Sequence, residues 1–413
     1  MLELITALAL SAAPLRLADV LEEARKNNPE MHAAEAQARA AASSVSPAGV
    51  LDDPMLMVQL WNMPVDLSTV PVMVQLTQPL PLGGKRAARR DAAEALSRMA
   101  QADMATKARD IEAEVAKAYF DLFMADRTLE IDSEIDHTLH AMLAAANARV
   151  AAGRSDQVDA LKGEGQILKL EADRQTAGAD RTSANARLVA LLNREPGALL
   201  GGTTIPAILP SLPTEAELRQ RALEGRPELA SVRATVAGAR AQLRLADAER
   251  VPDLSLFAAE MHTFRMSGVA DFLFAGVQIN LPVFSGSKNG PRAAAAEAQI
   301  EAASDSERSL QNRIAAEVAQ ACARVRAEAR QVELHHQLIP LARQTLQSAI
   351  SSYSAGRVDF LTVLDSEREL QMHEMDLATH LASYEQRVAE LERAVGADLG
   401  LAAAAEAGHP ESH

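Results

Sequence analysis

The sequence predicts an α+β membrane protein: long antiparallel α-helical hairpins, with four β-strands per chain that several copies must share. Three observations carry that reading. The chain is internally duplicated, no proline interrupts it between Pro81 and Pro196, and each duplicate holds two short apolar segments of strand length. Composition agrees. Aromatic residues make up only 3% and charged residues 23%, and alanine is abundant, which suits long helices packed on narrow seams rather than compact globules.

The duplication is anchored by residues that rarely match by chance. Asn28-Pro29-Glu30 recurs as Arg226-Pro227-Glu228 and Pro54 as Pro252, at one constant offset. The offset then lengthens by about five residues and holds. Val74-Gln75-Leu76-Thr77-Gln78-Pro79 recurs as Val277-Gln278-Ile279-Asn280-Leu281-Pro282, and Gly83 and Lys85 as Gly286 and Lys288. Ile111 to Ala116 recurs as Ile314 to Ala319, and Ala152-Gly153-Arg154 with Asp156 as Ala355-Gly356-Arg357 with Asp359. The change of offset falls between 54 and 74 in the first copy, as an exposed turn would allow. Pro196, Gly197, Gly201, Gly202, Pro206, Pro210 and Pro213 mark a connector between copies. The expected organisation is an N-terminal segment (1–16), a first repeat (17–195), a connector (196–214), a second repeat (215–400) and a flexible tail (401–413).

Within the first repeat a helical stretch is expected over 17–47, with Leu21, Ala24, Met31 and Ala34 at helical spacing. Met55 to Asn62 and Val70 to Gln78 then read as two strands joined by a loop at Met63-Pro64-Val65-Asp66. The second repeat offers Leu254 to His262 and Asp271 to Leu281, and five of the eight Phe residues (Phe257, Phe264, Phe272, Phe274, Phe284) gather there, as a lipid interface favours. After Gly83-Gly84 one helix can run to about Ala152, roughly 100 Å at 1.5 Å per residue. Gly153-Arg154-Ser155-Asp156 breaks it, and a second helix returns from Gln157 to Leu192. The second repeat has the same hairpin with its tip at Gly356-Arg357-Val358-Asp359, and Pro340 is expected to kink its first helix or offset its register.

The N-terminus reads in two ways. Leu4 to Ala13 resembles the apolar core of a signal peptide followed by small residues, yet it lacks a basic start and carries Glu3, so a buried N-terminal helix stays open. No Cys follows the small residues, which disfavours a lipid anchor. Beyond this segment no apolar run is long enough for a membrane-spanning helix. The strands are of barrel-crossing length. Four of them cannot close, and open edges in lipid would leave backbone groups unsatisfied. Three chains supply twelve strands, enough for a lumen.

The net charge of −15 disfavours nucleic acid, and the single Cys322 excludes an intramolecular disulfide and a multi-Cys metal site. Gly83-Gly84-Lys85 lacks the upstream Gly and the following Ser or Thr of a phosphate loop. His-Glu-x-x-His and Gly-x-Ser-x-Gly are absent too, so no catalytic residue and no cofactor is expected. Histidines lie near one another at His137 and His140, His335 and His336, and His373 and His380. Along one helix His373 and His380 are two turns apart, too far for one ion, so no metal site is expected. Met55, Met57, Met63 and Met73 read as apolar filling of strands.

This order of elements, duplicated in tandem, resembles the TolC family of outer-membrane efflux channels over about 17–400. The resemblance rests on Asn28-Pro29-Glu30, on Gln78-Pro79-Leu80-Pro81-Leu82-Gly83-Gly84-Lys85-Arg86, and on the two tips, the second followed by Leu361-Thr362-Val363-Leu364-Asp365. It implies a homotrimer with a shared twelve-strand β-barrel in outer-membrane lipid and an α-barrel through the periplasm. It also implies a periplasmic adaptor protein and an inner-membrane pump of the RND type as partners. Asp53-Pro54-Met55, Asn62-Met63-Pro64 and Leu82-Gly83-Gly84-Lys85-Arg86 resemble the branch that serves heavy-metal cation pumps. Asp365 occupies the position where the family places acidic residues lining the closed end. Its counterpart in the first repeat is Lys162, with Asp159 three residues earlier, so Asp365 and Asp159 are the candidate pore constriction. Gly153, Arg154, Ser155, Gly356, Arg357 and Val358 are the candidate adaptor-docking tips. Two other readings stay open: a type I secretion or drug-efflux duct, and, from another class, a soluble coiled-coil scaffold.

Overall fold

The computed structural model describes residues 15–60, 71–153, 157–204, 212–262 and 271–399. The N-terminal segment, the loop at Met63 to Asp66, Phe264, tip residues Arg154 and Ser155, and the tail lie outside the described residues. In chain order the elements are α1 (Leu17–Asn27), α2 (Pro29–Ser43), α3 (Val45–Ala48), β1 (Met55–Leu60), β2 (Val72–Leu80), α4 (Lys85–Ala151), α5 (Gln157–Leu191), α6 (Glu215–Gly225), α7 (Pro227–Ala248), β3 (Asp253–His262), β4 (Phe272–Asn280), α8 (Ser285–Ser354) and α9 (Phe360–Val395). They fall into two compact units. One gathers the residues up to 32, 106–226 and those from 313 onward, and the other gathers 33–105 and 227–312.

The first unit is a bundle of helices held by two apolar clusters. Val20, Val115, Tyr119, Phe120, Leu122, Leu188 and Leu192 form one, and Ile131, Leu139, Leu170, Tyr353, Phe360 and Leu364 the other. The seams are narrow and filled largely by Leu, Ala and Val. Each fully buried large side chain contributes about 2 kcal/mol. Long helices with a thin apolar stripe therefore need many turns of contact, and α4 at 67 residues and α8 at 70 supply them.

The first helical stretch departs from its expected form. It is split at Asn28, whose backbone is extended (φ −68°, ψ 125°). The residue before a proline is pushed out of helical space, which accounts for the split. The Asn28 carboxamide oxygen accepts from the amides of Glu30 (2.8 Å) and Met31 (3.3 Å), and its nitrogen donates to the Leu191 carbonyl at 2.9 Å. Asn28 thus stops α1, caps α2 and ties both to α5. The matching position in the second repeat, Arg226, is likewise extended before Pro227 and bonds Glu317 at 2.5 Å. Pro340 does not end α8, which continues through it to Ser354. The missing N–H deprives only the His336 carbonyl of its partner.

The second unit carries the sheet. Four antiparallel strands run in the order β1-β2-β3-β4, so among the described residues β1 and β4 are edges. Val72↔His262 and Leu80↔Leu254 bound the β2–β3 register, and Leu254↔Ile279 and Met261↔Phe272 fix that of β3 and β4. A knot secures the step from β2 into α4. Gly83 and Gly84 both have positive φ (69° and 80°), and a Cβ on Gly83 would meet Val251 at 2.8 Å. Lys85, buried, donates to the Val251 carbonyl at 2.8 Å and pairs with Asp253 at 2.5 Å. The Gly-Gly-Lys sequence is therefore a structural junction.

Candidate pore wall and hairpin tips

Strand alternation sorts the sheet into two unlike faces. Following the register, Leu56, Val58, Leu60, Val74, Leu76, Leu254, Leu256, Ala258, Leu273, Ala275, Val277 and Ile279 share one face. It is mostly aliphatic, with Gln78 and, toward the end of β3, Glu260 and His262 also on it, and most of it is exposed; Leu273 retains 83% of its accessible surface and Leu56 67%. The opposite face mixes Gln59, Gln75, Thr77, Ser255, Gln278 and Asn280 with Met55, Met57, Met73, Phe257 and Phe274. On the inner strands this second face is shielded, with Met73, Thr77 and Ala259 buried. Gly276 leaves room for the Phe257 ring, since a Cβ there would come within 2.6 Å of it. An exposed aliphatic face of this extent is a liability in water. In lipid, backed by a polar face and closed at its edges, it is the wall of a transmembrane β-barrel. No described helix is long and apolar enough to cross a membrane.

The hairpin tips sit at the far ends of the long helices and are built by capping chemistry. At the second tip Gly356 adopts φ 72°. Its amide donates to the Tyr353 carbonyl at 2.9 Å and that of Arg357 to the Ser352 carbonyl at 2.9 Å, the paired bonds of a Schellman stop. Asp359 then caps α9, accepting from the Thr362 amide at 3.0 Å and its hydroxyl at 2.5 Å. Those bonds from Thr362 hold the Asp359 carboxyl below the usual range. The first tip shows the same opening move, with Gly153 at φ 66° and its amide bonded to the Val150 carbonyl. Arg357 and Val358 follow Gly356 on the second tip, Arg357 exposed and Val358 half-buried.

One brace was invisible in the sequence. Arg149, near the end of α4, lies over the Tyr353 ring with its guanidinium carbon 4.3 Å from the centroid, and it also donates to the Tyr353 carbonyl. Tyr353 in turn packs on Phe360 (5.5 Å between centroids), whose ring, with Leu143, fills the notch left by Gly163 on α5. Four helices therefore meet beneath the tips.

Asp365 stands on α9 beyond this layer. It is exposed and sits 3.4 Å from Arg368 on its own helix. Its neighbours Leu364, Ser366 and Glu367 are buried, and the helix turns Asp365 outward together with Thr362, Arg368 and Glu369. Asp159, in the first turn of α5, is half-buried. Lys162 of α5 lies close enough to Asp359 to stabilise its charge.

A family model for the outer membrane efflux protein matches residues 20–194 and 218–397. The cobalt-zinc-cadmium resistance protein CzcC of Cupriavidus metallidurans is 29% identical over 365 residues, covering 87% of this chain and 85% of that protein. Among solved structures, CusC superposes with a TM-score of 0.81 at 19% identity, covering 94% of both chains. The open-state MtrE outer membrane channel of Neisseria gonorrhoeae does so at 0.79 and 20%, covering 92% of this chain and 89% of that one. The two-faced sheet, the long hairpins and the family match over most of the chain agree, and the chain belongs to the outer membrane efflux protein family.

Proposed function

We propose that three copies of this chain form a passive duct for divalent heavy-metal cations, the outermost part of a tripartite efflux system, catalysing no reaction. The observation that carries the reading is the sheet with one mostly aliphatic face, one mixed, more polar face and two unpaired edges among the described residues. Backbone groups on an open edge cost several kcal/mol each in lipid. Pooling four strands from each of three copies removes every edge, with the aliphatic face toward outer-membrane lipid and the polar face toward the lumen.

Two tandem repeats, 17–195 and 215–400, each supply one β-hairpin and one helical hairpin. The tips at Gly153-Arg154-Ser155 and Gly356-Arg357-Val358 dock a periplasmic adaptor, which links the duct to an inner-membrane pump of the RND type. Exposed glycine turns on a braced helix layer suit that contact. In a trimer each lumen-facing charge becomes a ring of three. Asp365, outward on α9, and Asp159 form the acidic constriction, a ring that attracts cations and repels anions. The cargo class is supported by the likeness to CzcC, a cobalt-zinc-cadmium resistance protein.

Fractionation and a deletion strain test this. The protein should resist carbonate extraction from membranes and migrate as a heat-sensitive trimer, and the deletion should lower tolerance to cobalt, zinc or cadmium while leaving dye and detergent tolerance unchanged. A soluble monomer would remove the duct, and unchanged metal tolerance would remove the cargo.

A further inference from the structure

Histidines that are distant along one helix meet across two. His335 on α8 packs against His373 on α9 with ring centroids 5.5 Å apart, and against His380 at 5.3 Å. His373, Asp376 and His380 follow one another at spacings of three and four, so one face of α9 presents all three to α8. A ligand atom from each of His335, His373 and Asp376 lies within 4.8 Å of the other two. His335 is buried, and the Nδ1 atoms of His335 and His373 are both sealed from solvent with no hydrogen-bond partner.

Two such orphaned nitrogens on neighbouring rings need a reason. A buried polar atom left unsatisfied costs about 1–3 kcal/mol, and alternative pairings with each other are open only if one ring donates and the other accepts. A cation held between the two rings gives both imidazoles a partner. We infer that His335, His373 and Asp376 form a binding site for one divalent transition-metal cation between α8 and α9.

The donor set fixes the class of ion. Two imidazoles and one carboxylate suit zinc, cobalt, nickel or copper, whereas calcium and magnesium prefer all-oxygen shells. Bonds of about 2.0–2.1 Å bring tetrahedral donors to within about 3.4 Å of one another. Small rotations of half-buried His373 and Asp376 about a fixed His335 would achieve that. His380, bonded at 2.8 Å to Glu328, is held in place on the next turn. The site rests on these contacts and does not depend on what the duct carries.

Titration of the purified full-length protein in detergent, stripped by chelator, tests the site. Cobalt(II) should bind at one ion per chain with the visible absorption of a low-coordinate centre, and zinc should displace it. His373→Ala and Asp376→Asn should each weaken cobalt binding by about tenfold or more while trimer mobility and circular dichroism stay unchanged. His335→Ala should abolish binding. His137→Ala with His140→Ala, both exposed on α4, should leave it intact. Absence of stoichiometric cobalt binding by the native protein, or native affinity in His373→Ala, would overturn the site and reduce the cluster to packing. Metal tolerance of cells reads the cargo separately, so each idea can fail alone.

Discussion

Arg149 covers the ring of Tyr353 and bonds its carbonyl, joining the end of the first long helix to the last turn of α8. That carbonyl also accepts the Gly356 amide that stops α8. One residue of the first hairpin therefore bears on the geometry of the second tip. Removing it should loosen the turn without unfolding the bundle. A cation–π contact and one hydrogen bond together contribute about 1–3 kcal/mol. Arg149→Ala should lose that much local stability and speed hydrogen exchange at residues 352–358, while exchange around Phe120 stays slow. Lys at this position should restore the stacking only in part, since it lacks the planar fork.

Gly356 offers a narrower test of the same tip. Its φ of 72° lies where a Cβ is strained, yet the nearest atom a Cβ would meet is Arg149 Nη2 at 3.8 Å. The cost of Gly356→Ala is therefore conformational, about 1 kcal/mol. Thermal unfolding should shift slightly, and adaptor binding should weaken more than stability does if the turn shape is what the adaptor reads.

Much of this architecture could be read from residues, and what could not has a common cause. Periodicity and punctuation located the strands and both hairpins, because Gly, Pro and alternating apolar residues act locally. Asn28 was recognised as part of a signature, but its split of the first helix was not foreseen, although Pro29 alone should have forbidden a continuous helix there. The brace by Arg149 and the meeting of His335 with His373 were out of reach for a different reason. Each joins residues more than thirty apart on separate helices, and their contact depends on how two helices are rotated in the bundle. Spacing along one helix says nothing of that rotation. Along α9 alone His373 and His380 stand two turns apart, and α8 sets His335 against both.

Three acids on α9, Glu367 and Glu385 buried and Glu392 half-buried, make stability depend on pH. Burial, aided by Glu392, pushes the Glu385 carboxyl up to about 8. Burial likewise pushes Glu392 and Glu367 up to about 7. An unfolded glutamate releases its proton near 4.5, so between that pH and about 8 the folded state holds more protons than the unfolded one. Stability is then greatest at the acid end and declines as pH rises through the folded values. Thermal stability in detergent should fall steadily as pH rises from about 4.5 to 8 and level off above that, each tenfold change in proton affinity being worth about 1.4 kcal/mol. Glu385→Gln should flatten the slope. A transition temperature that climbs over this range would contradict the assignment.

Lys85 should prove indispensable. Its side chain is 6% exposed, and its partners are Asp253 and the Val251 carbonyl. Lys85→Ala would leave the Asp253 carboxylate facing the Leu82 amide alone. Asp253 is 37% exposed and stays solvated, so the loss is mainly that of the hydrogen bonds made by the buried ammonium, about 1–3 kcal/mol, and it falls where β2 enters α4. Reduced yield of assembled trimer, with little effect on the helical circular dichroism, is the expected readout.

The equivalent lysine points to how copies join. Lys288 follows β4 as Lys85 follows β2, but in the single chain it is exposed. Within one chain β2 pairs with β3, and Lys85 reaches the start of β3. By the repeat, β4 of one copy should pair antiparallel with β1 of the next, placing Lys288 near Asp52 and Asp53 at the start of that strand. The register follows as well. Thr77 faces Phe257 within the chain, and their repeat counterparts are Asn280 and Gln59. In a chain whose Cys322 is replaced by Ala, Asn280→Cys with Gln59→Cys should oxidise to a covalent trimer, and either cysteine alone should not. Pairing of β4 with β1 in another register would move the cross-link to a neighbouring position on β1. Failure of every β4–β1 pair would mean that the edges are closed some other way, and the twelve-strand wall would have to be abandoned.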